Sequence, residues 1–158
     1  LLVAFLDAWF QRYGREFIAH YPSYYMPWGI TLSEDEVGAV GRETFESFFL
    51  DELVELSRRY DGIGIHCCAN ARHQWDNFAR VPGLRLLNLV QPPEEIRDAY
   101  GVFAHTTAQM HSWCGDGDPG TWPETYEKGA HVVLQASAAT RDEALELSEK
   151  LRRACGRA

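Results

Sequence analysis

The sequence has no long hydrophobic run and no pair of cysteines at the spacing Cys-x-x-Cys. Its apolar N-terminal segment, residues 1–10, is interrupted by Asp7 and lacks the basic start and the cleavage site of a signal peptide. We therefore expect neither a signal peptide nor a membrane span. The four cysteines, two of them adjacent, do not have the pattern of a disulfide framework, which favours a reducing, cytoplasmic location.

Positive charge is also scarce, because 15 lysines and arginines stand against 23 aspartates and glutamates, for a formal net charge of −8. No basic patch offsets this excess, so neither nucleic acid nor an anionic membrane is an expected partner. Apolar residues, in contrast, are abundant: 46% of the 158 residues are hydrophobic, enough for one globular core. The chain lacks an initiator methionine and opens within an apolar pattern, so we expect it to be part of a longer protein.

The spacing of apolar residues predicts a regular alternation of helices and strands. The strongest pattern runs from Arg42 to Tyr60, where apolar residues recur at helical spacing and acids lie mostly opposite. Helices are predicted over residues 1–13, 42–60, 94–100 and 121–128, and another is capped by Asn70. Capping boxes at Ser33 and Thr140 predict a short helical turn and the closing helix. The closing helix is expected to bury Ala144, Leu147 and Leu151. Strands are predicted over residues 16–21, 62–67, 84–90, 101–105 and 129–135.

This alternation predicts an α/β fold with about five parallel strands joined by right-handed crossovers. A closed (β/α)8 (TIM) barrel needs eight strands and typically ~250 residues. The chain is therefore either an open doubly wound domain or a partial (β/α)8 barrel, most of its second half.

Chemically reactive side chains gather where the stretch Gly62-Ile-Gly-Ile-His-Cys-Cys-Ala-Asn70 ends. We interpret this stretch as a buried strand whose last residues emerge at its carboxyl edge, the edge that carries active sites in α/β proteins. Residues i and i+2 of a strand point to the same side, so His66 and Cys68 are predicted to reach one point while Cys67 points away. Imidazole and thiolate are zinc ligands, with bonds of about 2.0 to 2.3 Å.

Other candidate site residues lie in predicted loops and at predicted strand ends. Glu34 and Asp35 form an acidic turn and are candidate catalytic residues, although acids are also common at helix starts. His105 ends the predicted strand 101–105, and a catalytic role competes there with a core position. Tyr25 and Trp28 lie in an aromatic loop over the predicted pocket and are candidates for a wall that binds a cofactor, although aromatic loops also pack for stability.

Three segments together resemble the uroporphyrinogen decarboxylase superfamily, which includes the decarboxylase and zinc-dependent methyltransferases that serve corrinoid proteins. They are Gly29-Ile-Thr-Leu-Ser-Glu-Asp-Glu36, Thr44-Phe-Glu-Ser-Phe-Phe-Leu-Asp-Glu-Leu53 and the strand end His66-Cys-Cys68. Members have an acidic turn after a strand, a helix of the form Phe-x-x-Phe-x-x-Pro-x-Leu and a strand ending in His-x-Cys-Gly. This chain departs at Asp51, where the family helix has proline, and at Ala69, where glycine follows the cysteine.

The resemblance implies that residues 1–158 are the C-terminal portion of a (β/α)8 barrel whose first three strands or so are absent. For the methyltransferase branch it implies a zinc ion that holds a substrate thiol as a thiolate, and a corrinoid protein as methyl-transfer partner. That branch takes a further cysteine from the last strand, but residues 131–138 contain none here. Cys114 is the candidate for this third ligand, as is His105.

Two other functions stay open. A uroporphyrinogen decarboxylase would act on a tetrapyrrole without metal, and the resemblance places its substrate-binding arginines and main catalytic aspartate in the absent half. Its late Gly-His-Gly signature is replaced here by Leu134-Gln-Ala-Ser137. A non-catalytic α/β binding module, such as a flavodoxin-like corrinoid carrier, would need an Asp-x-His-x-x-Gly loop, and the sequence has none.

Overall fold

The computed structural model describes residues 1–15, 26, 28–112, 118–124 and 128–156. The helices are α1 (Leu2–Tyr13), α2 (Arg42–Phe48), α3 (Leu50–Tyr60), α4 (Trp75–Phe78), α5 (Pro93–Phe103) and α6 (Arg141–Ala154). The strands are β1 (Ile30–Ser33), β2 (Ile63–Cys67), β3 (Leu84–Leu89), β4 (Ala108–Ser112) and β5 (Val132–Gln135). Short 3-10 helices cover Asp35–Gly38, Arg72–Gln74 and Pro119–Glu124.

Within the described residues, five strands pair in parallel with a neighbour and alternate with helices, which confirms the predicted α/β class. The chain divides into two compact units, Leu1–Leu89 and Val90–Ala158. In each unit, strands that follow one another along the chain are also neighbours in the sheet, which is the strand order of a (β/α)8 barrel. None of the helices in the described part of the chain combines the length and the hydrophobicity that a membrane span requires.

In the first unit, β2 lies between β1 and β3. All five residues of β2 are buried, as expected for a strand paired on both sides. Ser33 of β1 is opposite His66, and His66 is opposite Asn88 of β3. Because parallel strands bring their carboxyl ends to one edge, this register places three polar side chains side by side.

The helix predicted over residues 42–60 is present but interrupted at Phe49, whose φ of −118° separates α2 from α3. Helix α3 buries Leu50, Leu53, Leu56 and Tyr60, the residues at helical spacing. It ends at Asp61, which has a φ of 63° and is the C-cap in the left-handed region. This turn leads directly into β2 and so fixes where the site strand begins.

Two further predictions for the first unit can be compared with the structure. The cap predicted at Asn70 is wrong, because the 3-10 helix follows Ala71 and α4 follows Gln74, neither with a side-chain cap. The Asn70 Oδ1 instead accepts the backbone N–H of Arg72 at 3.3 Å within the turn, and Trp75 and Phe78 are buried. The strand β1 at Ile30–Ser33 is not among the strands predicted from the sequence. The predicted strand 16–21 lies outside the described residues.

The second unit differs most from the prediction. The strand predicted over residues 101–105 is wrong, because α5 continues to Phe103 with Ile96, Ala99, Tyr100 and Phe103 buried on one face. The strand follows instead as β4. The helix predicted over 121–128 is a 3-10 helix over Pro119–Glu124, and residues 125–127 are outside the described part of the chain.

The closing helix α6 begins as predicted, with the Thr140 hydroxyl accepting the backbone N–H of Glu143 at 3.2 Å. The predicted burial is wrong: α6 buries none of its residues, Ala144 is exposed, and Leu147 and Leu151 are half-buried. Lys150 of α6 instead forms an ion pair with Asp118, beside the 3-10 helix. The core of this unit is formed by Ile96, Tyr100 and Trp122, with Val132 and Leu134 against them.

Candidate metal site

Three potential metal ligands meet at the carboxyl end of β2. A carboxylate oxygen of Asp35, a ring nitrogen of His66 and the Sγ of Cys68 all lie within 4.8 Å of one another. The i, i+2 spacing of His66 and Cys68 predicted that these two would come together. Asp35 is the third potential ligand, whereas the sequence suggested it as a catalytic residue.

Asp35 is held at this position by the strand that precedes it. The backbone N–H of Glu34 donates to the His66 carbonyl at 2.8 Å, which extends the β1–β2 pairing beyond Ser33. Asp35 Oδ1 then accepts the backbone N–H of Cys68 at 2.6 Å, and its Oδ2 accepts the Ser33 hydroxyl at 3.0 Å. The predicted capping box at Ser33 is therefore wrong, because Ser33 orients Asp35 rather than capping the 3-10 helix.

The orientation of His66 depends on a residue that the sequence analysis missed. His66 Nδ1 and Asn88 Oδ1 are 2.6 Å apart, and both residues are buried. An amide oxygen can only accept a hydrogen bond, so this contact favours the tautomer of the neutral ring that has its proton on Nδ1. In that tautomer the lone pair lies on Nε2, which is 4.0 Å from Asp35 Oδ1. The signal in the sequence was a polar residue within the otherwise leucine-rich strand β3.

The site is strongly acidic. A hydrogen bond to Asp35 raises the pKa of the Cys68 thiol, while the backbone N–H and thiol of Cys68 lower the pKa of Asp35. Burial, reinforced by the charges of Glu36, Glu52 and Asp35, raises the pKa of Glu34 to about 7. Without a cation the thiol therefore keeps its proton, and a cation that binds there must displace it.

Cys67 is separated from this cluster. It is fully buried, its Sγ lies 3.4 Å from the carbonyl of Ala69, and burial raises the pKa of its thiol to about 11. A thiol in such surroundings is a small core residue rather than a metal ligand.

The remaining candidates are not part of the described cluster. Tyr25 and Cys114 lie outside the described residues, and Trp28 is 51% exposed. His105 is exposed in the turn between α5 and β4, so it does not end a strand, and its position no longer supports a catalytic role. Its participation in a site stays a prediction.

The three ligand atoms leave one side open to solvent. The His66 side chain is 10% exposed and that of Asp35 is 38% exposed, and Cys68 is an exposed residue. A mixed nitrogen, sulfur and oxygen set with an open side is typical of a metal site that also admits a substrate. Comparisons of the chain with models of known protein families, with curated proteins and with solved structures find no match.

Proposed function

We propose that this chain carries the metal site of a zinc-dependent methyltransferase of the uroporphyrinogen decarboxylase superfamily, which moves a methyl group between a corrinoid protein and a thiol. The observation that carries this proposal is the cluster of Asp35, His66 and Cys68, in which the other ring nitrogen of His66, Nδ1, contacts Asn88 Oδ1. The superfamily, the corrinoid partner and the thiol substrate are supported by the resemblance of residues 29–70 alone.

The types of the three ligand atoms and the distances between them suit zinc. Zinc binds imidazole nitrogen, thiolate and carboxylate at about 2.0 to 2.3 Å, so ligand atoms of a tetrahedral site are ~3.3 to 3.7 Å apart. The atoms of the cluster lie within 4.8 Å, and Nε2 and Oδ1 are 4.0 Å apart. Small side-chain rotations of the half-buried Asp35 and the exposed Cys68 would close the remaining distance.

The charges of the ligands also suit a divalent cation. Asp35 and deprotonated Cys68 each carry one negative charge, and neutral His66 carries none, so the set balances a charge of +2. Bound zinc would supply a Lewis acid that favours the thiolate form of a substrate thiol near neutral pH. The open side next to Asp35 and Cys68 is where such a thiol can approach.

Metal analysis of the full-length protein tests this proposal. We expect about one zinc per chain, lost in His66→Ala and in Cys68→Ser, because a three-ligand site does not tolerate removal of one ligand. Cys155→Ser is the matched control, since Cys155 is an exposed cysteine of α6's C-cap in the other unit and should leave the zinc content unchanged. The zinc-loaded protein should then transfer a methyl group from methylcobalamin to a small thiol.

Two results would overturn the proposal. One is a carefully prepared protein that binds no zinc. The other is zinc that is retained by both ligand variants, which would place the metal elsewhere. A metal-free protein that removes carboxylates from uroporphyrinogen would replace the methyltransferase with the decarboxylase.

A further inference from the structure

We infer that Asn88 is a positioning residue of the metal site, which fixes the tautomer and the ring orientation of His66 so that Nε2 is ready to bind the metal. This inference deepens the proposed function and rests on it, since a positioning role has meaning only if Asp35, His66 and Cys68 bind a cation. It does not depend on the identity of the methyl donor or acceptor.

The backbone register explains why Asn88 reaches His66. The two residues are directly opposite in the β2–β3 pairing. Their side chains therefore stand next to each other on the same face of the sheet, and Nδ1 and Oδ1 are 2.6 Å apart. Asn88 is 7% exposed and His66 is 8% exposed, so water does not compete effectively for this hydrogen bond.

The buried, apolar surroundings of Asn88 indicate that its polar side chain has a specific role. The four leucines of β3 are buried, and burying an amide among them is unfavourable unless it forms hydrogen bonds. The Asn88 oxygen is instead in contact with His66, the imidazole of the candidate ligand set. Apolar side chains would satisfy the packing of β3 without this cost.

The chemistry of imidazole gives this contact a consequence for metal binding. A neutral ring has one proton, and an acceptor at Nδ1 keeps the proton there and leaves Nε2 with its lone pair. Histidine ligands of metals regularly donate their second ring N–H to such an acceptor, which orients the ring and makes the ligating nitrogen more basic. An amide achieves this without adding a third negative charge to the set formed by Asp35 and Cys68.

The tautomer can be measured directly in the metal-free, full-length protein. In mildly alkaline buffer, long-range ¹H–¹⁵N NMR should show the proton of neutral His66 on Nδ1. A ring protonated on Nε2 would overturn the inference, and this measurement needs no variant to fold.

Variants at Asn88 then test the consequence. Asn88→Leu removes the acceptor and keeps the branched shape of the side chain. We expect a mixture of tautomers and an affinity for zinc ~10 to 100-fold lower, in the range found when such outer partners of metal ligands are removed. Asn88→Asp keeps an acceptor in the same place and should restore the Nδ1–H tautomer and the affinity. Affinity is measured by competition with a chromophoric chelator, together with the absorption spectrum of the cobalt-substituted protein.

The outcomes separate this inference from the proposed function. Zinc that binds Asn88→Leu as tightly as the wild type overturns the role of Asn88 and leaves the methyltransferase proposal intact. A wild-type protein that binds no zinc overturns both, even if His66 has the expected tautomer. Loss of zinc from Asn88→Leu and from Asn88→Asp alike would indicate a packing role and also overturns the inference.

Discussion

At the scale of single residues, Asp35 is the centre of the candidate site. One of its oxygens accepts the backbone N–H of Cys68, and the other accepts the Ser33 hydroxyl. The hydrogen bond of the Cys68 thiol to Asp35 raises the pKa of that thiol, and the negative charge of Asp35 adds to this effect. Asp35 therefore keeps Cys68 protonated until a cation compensates the charge of both.

Replacing Asp35 by asparagine should make the Cys68 thiol more reactive in the metal-free protein. The variant removes the negative charge, so the pKa of Cys68 falls towards its ordinary value and a larger fraction is thiolate at neutral pH. Alkylation by iodoacetamide, followed for Cys68 by peptide mass spectrometry, should be faster than in the wild type. Asp51→Asn changes an exposed acid in α3 and serves as the control. An unchanged rate in Asp35→Asn would contradict this reading.

Glycine is required at one position that supports the site. Gly29 precedes β1 with a φ of 92°, and a Cβ there would lie 2.4 Å from the carbonyl oxygen of Gly62. Gly101, within α5, has open space around the corresponding position. The two glycines should therefore respond in opposite directions to the same substitution.

Gly29→Ala should lower the free energy of unfolding by more than ~1 kcal/mol, because it combines an unfavourable φ with a backbone clash. Gly101→Ala should raise it by about 0.5 to 1 kcal/mol, since alanine is the better residue inside a helix. Urea unfolding measures both. If both substitutions changed the free energy of unfolding equally, backbone φ and local space would not explain the need for glycine at Gly29.

At the scale of elements, a polar contact ties α1 to α3. Arg59 of α3 forms a two-point ion pair with Asp7 of α1, and the Tyr60 hydroxyl adds a hydrogen bond to Asp7 Oδ1 at 3.0 Å. These partners lower the pKa of the Asp7 carboxyl. Because the folded pKa lies below the unfolded one, the contact stabilises the fold above the unfolded pKa, and this contribution is lost as the pH falls through the folded pKa.

Arg59→Gln should therefore raise the pKa of Asp7 towards its ordinary value. The carboxyl carbon of Asp7, followed by ¹³C NMR during an acid titration, reports this directly. Arg58→Gln is the matched control, since Arg58 is the exposed neighbour of Arg59 in α3. If both substitutions shift Asp7 equally, general charge and not the ion pair determines its pKa.

At the scale of the whole molecule, the net negative charge of the chain and the acidic residues around Asp35 both favour the binding of a cation. The chain has a net charge of −8, and burial, together with the charges of the neighbouring acids, raises the pKa of Glu34 to about 7. A divalent cation bound between Asp35, His66 and Cys68 would relieve this repulsion in the folded state only. Folding and metal binding should therefore be coupled.

Zinc should raise the melting temperature of the wild-type protein and leave that of Cys68→Ser unchanged. At a free concentration of 100 times Kd, a ligand that binds only the native state stabilises it by about 2.7 kcal/mol. Differential scanning calorimetry with zinc, and with magnesium as the control cation, measures the shift. A similar increase in both proteins would assign the stabilisation to a different site.

The sequence by itself determined those elements whose apolar residues repeat with a clear helical or strand spacing. It also determined the ligand pair His66 and Cys68, which follows from strand geometry. The apolar spacing of α3 predicts its buried face, and the positions i and i+2 of His66 and Cys68 place them together. A short run such as residues 101–105 suits a strand or a helix, and the burial of Phe103 together with Ile96, Ala99 and Tyr100 of α5 decides for the helix.

Only the tertiary structure brought Asp35 and Asn88 to His66. They are 31 and 22 residues away along the chain, and they meet because β1 and β3 pair on either side of β2 in one register. Hydrophobic periodicity indicates which face of a strand is buried, but not which residue of the neighbouring strand lies opposite. The ligand pair was thus a local property of β2, whereas the complete site and its orientation depend on long-range pairing.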